Sequence, residues 1–150
     1  MRVISHRGCL EGPDPLIENH PNQINKAIKH KFDVEIDLWM IKEDLFLGHD
    51  SPQYKVSLDW LVARSDTLWA HCKNLKVLDW LSEQKSTLNY FFHQSDHVTL
   101  TSKNNLWVYP GMEFTKNSVI VVQEKKILEE ILQLEEKPFA VCTDYPVLLL

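Results

Sequence analysis

Two histidines near glycines, an arginine next to the first of them, and two carboxylates separated by one residue are the groups whose types and spacing suit chemistry in this chain of 150 residues. His6 and Arg7 precede Gly8 where a short apolar run ends, and His49 follows Gly48 in "LFLGHD". The chain has only 4 glycines, and two of them stand within two residues of these histidines, where a backbone without Cβ lets a ligand come close. Imidazoles titrate near neutrality, so His6 and His49 are candidates for general acid and general base. Arg7 carries a permanent charge on a planar fork of donors, which suits an anionic group such as phosphate. Side chains alternate across a strand, so Asp33, Glu35, Asp37 and Trp39 of "DVEIDLW" share one face while Val34, Ile36, Leu38 and Met40 share the other. On a half-buried edge strand the acidic face would simply be solvated. In a parallel sheet, where both faces are usually covered, inward carboxylates repel and desolvate each other, a cost that a divalent cation relieves. His20, His30 and His97 lack such a setting and read as surface or packed residues, while His93 in "YFFHQ" is a candidate to point inward.

Taken in order, HRG at 6–8, EN at 18–19 before a helix, ExD at 35–37 and HD at 49–50 resemble the signature of the glycerophosphodiester phosphodiesterase family, over the first third of the chain. The resemblance implies a TIM-type barrel with a divalent cation on Glu35 and Asp37, acid and base work by His6 and His49, and Arg7 and Glu18 at the active site. "LWAHCKN" corresponds to a strand in which related enzymes carry an acid, one further residue and a lysine. Lys73 matches the lysine, and His71 stands where the family has an acidic metal ligand. "AVCTDYP" is similar to the family's last barrel strand, which commonly finishes in Thr-Asp-x-Pro. The implied function is metal-dependent cleavage of a small glycerophosphodiester-like substrate. Arg7, Lys73 and Glu18 would bind substrate, and Glu35, Asp37 and His71 would hold the metal. Mg²⁺ or Ca²⁺ is the expected ion, with Mn²⁺ or Zn²⁺ as alternatives because of the imidazole. The rival from another class is a non-catalytic phosphate-binding or assembly domain derived from the same barrel.

The elements that must position these groups are legible from apolar spacing. "RVIS", "DVEIDLWM", "TLWAHC", "NYFFHQ", "HVTLT", "LWVYP", "SVIVVQ" and "PFAVCT" are β-branched or aromatic runs that predict strands, and a further strand ends in "LFLG" before His49. Helices are predicted around Ile24, Ala27 and Ile28 after Pro21, around Leu58, Leu61 and Val62 after Ser57, around Leu75, Leu78 and Leu81, and around Ile127, Leu128, Ile131 and Leu132. Alternation of strand and helix implies right-handed βαβ units and a largely parallel sheet, either open or closed. From Tyr90 to Gln123 no helix intervenes, and "HVTLTSKNNLWVYPG" predicts a hairpin turned by Ser102 to Asn105. A full (β/α)₈ barrel usually takes about 250 residues. The expectation is therefore an α/β protein, a single domain over 1–150, built as a compact TIM-type (β/α) barrel with several helices shortened or missing.

Composition narrows the partners. The net charge is -5 and no Lys/Arg cluster exceeds a pair, which speaks against nucleic acid. No apolar run approaches the ~20 residues of a membrane span, and "MRVISHRG" lacks a signal peptide's apolar core, so a cytoplasmic protein is expected. Cys9, Cys72 and Cys142 lie far apart outside any CxxC spacing and are expected to be free thiols. Sheet edges left bare by missing helices make a homo-oligomer compatible with the architecture.

Overall fold

The computed structural model describes residues 1–84 and 87–150. Each strand-forming run becomes a strand, and β4, which was not expected, joins them: β1 (Arg2–His6), β2 (Asp33–Ile41), β3 (Asp44–Leu47), β4 (Tyr54–Val56), β5 (Leu68–Cys72), β6 (Asn89–Phe91), β7 (Val98–Leu100), β8 (Leu106–Val108), β9 (Ser118–Val122) and β10 (Ala140–Thr143). The four helices are α1 (Pro21–Lys29), α2 (Leu58–Val62), α3 (Leu75–Glu83) and α4 (Lys125–Leu132), and a 3₁₀ turn covers Pro146–Leu149. Their starts follow local chemistry. Pro21 opens α1, whose first N–H groups have no helical partner to lose. The Ser57 hydroxyl accepts from Trp60 N–H at 3.1 Å, and the Asn74 side chain accepts from Val77 N–H at 3.3 Å, so both caps satisfy otherwise orphaned donors.

All ten strands join one curled sheet. Eight form the run β4-β3-β2-β1-β10-β9-β8-β7, and β5 and β6 branch from β2. The branch is possible because β2 is long: its first half pairs with β1, its second half with β3, and β5 lies along its other edge. The strands from β6 through β5, β2, β1, β10 and β9 to β8 are parallel, while the β2–β3–β4 meander and the β7–β8 hairpin are antiparallel. The hairpin is the one expected around Ser102–Asn105.

The expected compact TIM-type barrel does not form. The sheet is a curled half-barrel, no β-ladder joins β6 to β7 or β8 among the described residues, and four short helices do not flank the strands all round. Between the two ends, Ser102 N–H donates to the Tyr90 carbonyl at 2.8 Å and Ser102 Oγ accepts from Tyr90 N–H at 2.9 Å. The physical reason lies in the connections. A parallel strand needs a crossover of a dozen or more residues, usually a helix, whereas a hairpin needs only a tight turn. Residues 92–117 hold the β7–β8 hairpin and loops in place of crossover helices.

The two faces of the sheet hold different cores. On one, Val34, Ile36 and Leu38 of β2 pack with Ile24, Ala27, Leu61, Val77 and Leu81 of α1, α2 and α3, and Val108, Ile120, Val122 and Val141 pack with Leu128 and Ile131 of α4. On the other, Ile4, Trp69, Phe91, Trp107, Val119, Ala140 and Cys142 form a separate cluster. Phe91 and Trp107 stack with centroids 4.2 Å apart, a contact worth about 0.5–1.5 kcal/mol beyond its burial. Val77 and Leu81 carry the buried side of α3, and Leu75 is 76% exposed, so the expected Leu75, Leu78, Leu81 stripe is rotated toward Val77. Leu58 and Val62 of α2 are exposed as well. Among the described residues no helix is long and apolar enough to cross a membrane.

The turn after β3 needs glycine. A Cβ on Gly48 would lie 2.0 Å from the Ser51 carbonyl oxygen, well inside contact distance with backbone. The Gly48 N–H donates to the Asp37 carbonyl at 3.1 Å, and its own carbonyl accepts from Trp39 Nε1 at 2.6 Å. Gly48→Ala must displace this turn, and with it His49. Urea unfolding should show a loss of about 1–3 kcal/mol; an unchanged midpoint would show that the turn is free to adjust.

Candidate functional site

Register brings the chemistry to one end of the parallel strands. His6 is the last residue of β1 and pairs with Glu35, and Asp37 pairs with His71, the penultimate residue of β5. Asp144 follows β10 directly. Both faces of β2 are covered, with Glu35 2% and Asp37 0% exposed. The solvated-edge alternative is therefore set aside.

The segment from His6 to Asn19 folds over these acids with two residues in the left-handed region, Arg7 at φ 54° and Asn19 at φ 62°. Such backbone costs about 1–3 kcal/mol at each non-glycine position, so surrounding bonds must hold it. They do. Arg7 N–H donates to the Glu35 carbonyl at 3.0 Å, and Asn19 N–H donates to the Arg7 carbonyl at 2.8 Å. The Asn19 side chain clasps Asp37 twice: its Nδ2 donates to Oδ2 and its Oδ1 accepts from the Asp37 N–H, both at 2.9 Å. Gly8, at φ 85°, lets this turn approach the start of α1, since a Cβ there would sit 3.2 Å from Ile24 N.

Cations and imidazoles surround Asp37. Arg7 Nε lies 3.1 Å and His49 Nδ1 3.4 Å from Oδ2, while His71 Nδ1 lies 3.2 Å and Lys73 Nζ 3.6 Å from Oδ1. Burial alone would push this carboxyl up, but His49, His71 and Arg7 outweigh it, and Asp37 is held well below the usual carboxylate range. Glu35 moves the opposite way: burial, then repulsion from Asp37, pushes it up against the pull of His6, Arg7 and His71. Asp37 is thus the persistent anion, and the pair's first proton goes to Glu35. Arg7 stays charged, because the fields of Glu35, Asp37 and Glu18 outweigh its burial.

All eight residues singled out by sequence, His6, Arg7, Glu18, Glu35, Asp37, His49, His71 and Lys73, meet here. Arg7 is the hub, with Nη1 donating to Glu18 Oε2 at 2.7 Å and Nη2 lying 3.4 Å from His49 Nε2. Glu18 is engaged with the guanidinium and so positions Arg7. His71 Nδ1 also lies 3.7 Å from Glu35 Oε1, and His6 Nε2 lies 3.9 Å from Glu35 Oε2. Three contributors were not foreseen as parts of the site: Asn19, Asp144 and the backbone carbonyl of His93. The first two were visible in "EN" and "TDYP"; a carbonyl acceptor leaves no sequence signal. The His93 ring bonds outside the cluster, with Nε2 2.5 Å from the Asp96 carbonyl. The cysteines are free and buried, and burial pushes the Cys9 and Cys72 thiols up to about 12, which removes them as nucleophiles near neutrality.

One donor set fits a divalent cation. Donor atoms of Glu35, Asp37 and His71 lie within 4.8 Å of one another, and Asp37 Oδ1 is buried without a hydrogen-bond partner. A buried carboxylate oxygen short of donors is the group a hard cation satisfies. No protein-family model matches the chain, and no curated protein or solved structure matches it either.

His6 offers a direct test of the electrostatics. Its Nδ1 lies 2.8 Å from Asp144 Oδ1. Burial lowers its pKa, but the Asp144 hydrogen bond and the Glu35 charge raise it more, leaving it above the usual imidazole range. In the metal-free protein the stability contributed by His6 is complete below its unfolded value of about 6.5 and is lost as pH rises through its folded pKa. Asp144→Asn keeps an acceptor but removes the charge. An NMR titration should therefore show the His6 midpoint moving down, and urea unfolding should depend less on pH across that window. A midpoint that stays in place would remove Asp144 as the source of the shift.

Proposed function

We propose that this protein is a metal-dependent phosphodiesterase that cleaves a small glycerophosphodiester-like substrate with two histidines as acid and base. The observation that supports it best is the convergence of His6, His49, Arg7 and Lys73 on one buried acid pair. A phosphate-binding module would require the cations but not two imidazoles on either side of them.

Glu35, Asp37 and His71 would hold a divalent cation, which when bound supplies positive charge to the phosphoryl oxygens. The remaining work belongs to side chains. Arg7 and Lys73 flank Asp37 and offer donors to a phosphate whose charge grows during attack. Asp144 accepts from His6 Nδ1–H, which fixes the ring's tautomer and leaves Nε2 toward Glu35 and the site, able to take a proton. His6 is assigned as the base. It removes the proton from a hydroxyl neighbouring the phosphate, that oxygen bonds to phosphorus, and the bond to the leaving alcohol breaks. His49, whose side chain is 41% exposed, is assigned as the acid that protonates the departing oxygen. Opening of the cyclic phosphate by water uses the same two rings with their roles exchanged.

Removing either proton carrier should cost about 10²–10⁴-fold in turnover. His6→Ala and His49→Ala are the variants, assayed with a glycerol phosphodiester carrying an alkyl or an aryl leaving group. The aryl substrate, which needs little protonation, should recover much of the rate in His49→Ala but little in His6→Ala. Equal recovery would overturn the division of labour. Wild-type protein that binds divalent ion and phosphate but turns over neither substrate would favour the non-catalytic phosphate-binding reading.

A further inference from the structure

We infer that His71 ligates through Nδ1 and that this makes the centre a site for first-row transition ions, Mn²⁺, Co²⁺ or Zn²⁺, in preference to Mg²⁺ or Ca²⁺. The inference rests on the metal-binding part of the function proposed above and identifies the ion.

It starts from the far side of the ring. His71 Nε2 lies 2.7 Å from the carbonyl oxygen of His93, an acceptor only, so Nε2 carries a hydrogen and donates it. The opposite nitrogen, Nδ1, then faces Asp37 Oδ1 at 3.2 Å and Glu35 Oε1 at 3.7 Å. In the neutral tautomer set by the carbonyl, Nδ1 presents a lone pair to two carboxylates. Without a proton on Nδ1 these three electron-rich atoms face one another, and Asp37 Oδ1, fully buried and without a hydrogen-bond partner, keeps only the Lys73 ammonium 3.6 Å away. A cation shared among them turns each repulsion into a bond. An N–H bonded to a backbone carbonyl behind the ring is the usual device for orienting a metal-ligating imidazole.

The ring is also held in plane. It stacks on Phe91 with centroids 5.1 Å apart and an interplanar angle of 9°, and Phe91 stacks in turn on Trp107. Nδ1 cannot swing away to leave an all-oxygen shell without breaking both the stack and the carbonyl bond. Mg²⁺ and Ca²⁺ prefer oxygen donors, whereas imidazole suits first-row transition ions. A fixed nitrogen beside two carboxylates therefore moves preference toward the latter.

The test uses the whole chain, stripped of metal and titrated calorimetrically with Mn²⁺, Co²⁺, Zn²⁺, Mg²⁺ and Ca²⁺, with pulsed EPR of the Mn²⁺ form. Wild type should bind Mn²⁺ more tightly than Mg²⁺ and show nitrogen hyperfine coupling. His71→Glu should abolish that coupling and shift the Mn²⁺ to Mg²⁺ affinity ratio toward Mg²⁺ by about 10–100-fold, and His71→Ala should weaken Mn²⁺ by a similar factor. Both variants are checked for folding by circular dichroism, and the wild-type spectrum is decisive even if neither folds. Wild type that binds Mn²⁺ without nitrogen coupling, coupling that survives in folded His71→Glu, or an unchanged affinity ratio would overturn the inference while leaving a metal-dependent phosphodiesterase intact. Wild type that binds no divalent ion would overturn both.

Discussion

Everything around the site answers to one constraint: the Asp37 carboxylate is completely buried and stays ionised. A buried anion is tolerated only when charges and hydrogen bonds replace the water it has lost. Asn19 supplies a double hydrogen bond, Arg7 and Lys73 supply charge, and His49 and His71 supply imidazoles. These partners come from the turn after β1, the approach to α1, the turn after β3 and the end of β5. Satisfying one carboxylate therefore ties together most of the first half of the chain. The strained backbones of Arg7 and Asn19 belong to the same arrangement, since both residues reach this carboxylate, one by its guanidinium and the other by its amide.

The sheet supplies the second half of the explanation. Parallel pairing of β1, β2, β5 and β10 aligns strand ends, so residues distant in sequence arrive at one level without long side chains reaching across the fold. The long β2 is central because it pairs with β1, β3 and β5 and carries both acids. Its extension past the site into the β3 hairpin returns His49 to Asp37. A complete ring of helices is not needed for this. The half-barrel places the acid pair on the side opposite α1, α2 and α3, and the aromatic cluster of Trp69, Phe91 and Trp107 packs beside it. Phe91, itself stacked on Trp107, orients the ring of His71.

The rings of His6 and His71 share a logic. Asp144 stands behind His6 and the His93 carbonyl stands behind His71, each bonded to the nitrogen that faces away from the acids. A charged acceptor raises the basicity of the ring it holds, while a neutral carbonyl fixes orientation without adding charge. The difference suits His6 to carrying a proton and His71 to offering a lone pair. His49 has the exposed Asp50 carboxylate 3.6 Å from its Nε2 and is the most solvent-accessible of the three.

Much of this was legible in the chain itself. Alternation in "DVEIDLW" separated the acids from Val34, Ile36 and Leu38, because side chains on a strand must point to opposite faces. Ser57 and Pro21 marked helix starts through backbone groups that only local residues can satisfy or dispense with, and the glycine-flanked histidines pointed to the turns that carry them. Closure did not follow from the same signals, since alternating strands and helices are compatible with a ring or an open curl. Residues 92–117 form a hairpin and loops in place of crossover helices, and the sheet stays a half-barrel. Tertiary structure alone decided that Leu75 faces solvent while Val77 is buried, because the side of α3 that meets β2 and β5 depends on how the helix lands. It also decided the partners behind the two rings. Asp144 is 138 positions from His6 and the His93 carbonyl 22 from the ring of His71, so the folded chain has to bring them into bonding distance. Side-chain type and spacing determine local geometry, whereas a hydrogen-bond partner supplied by the distant chain, above all by its backbone, exists only once the sheet has formed.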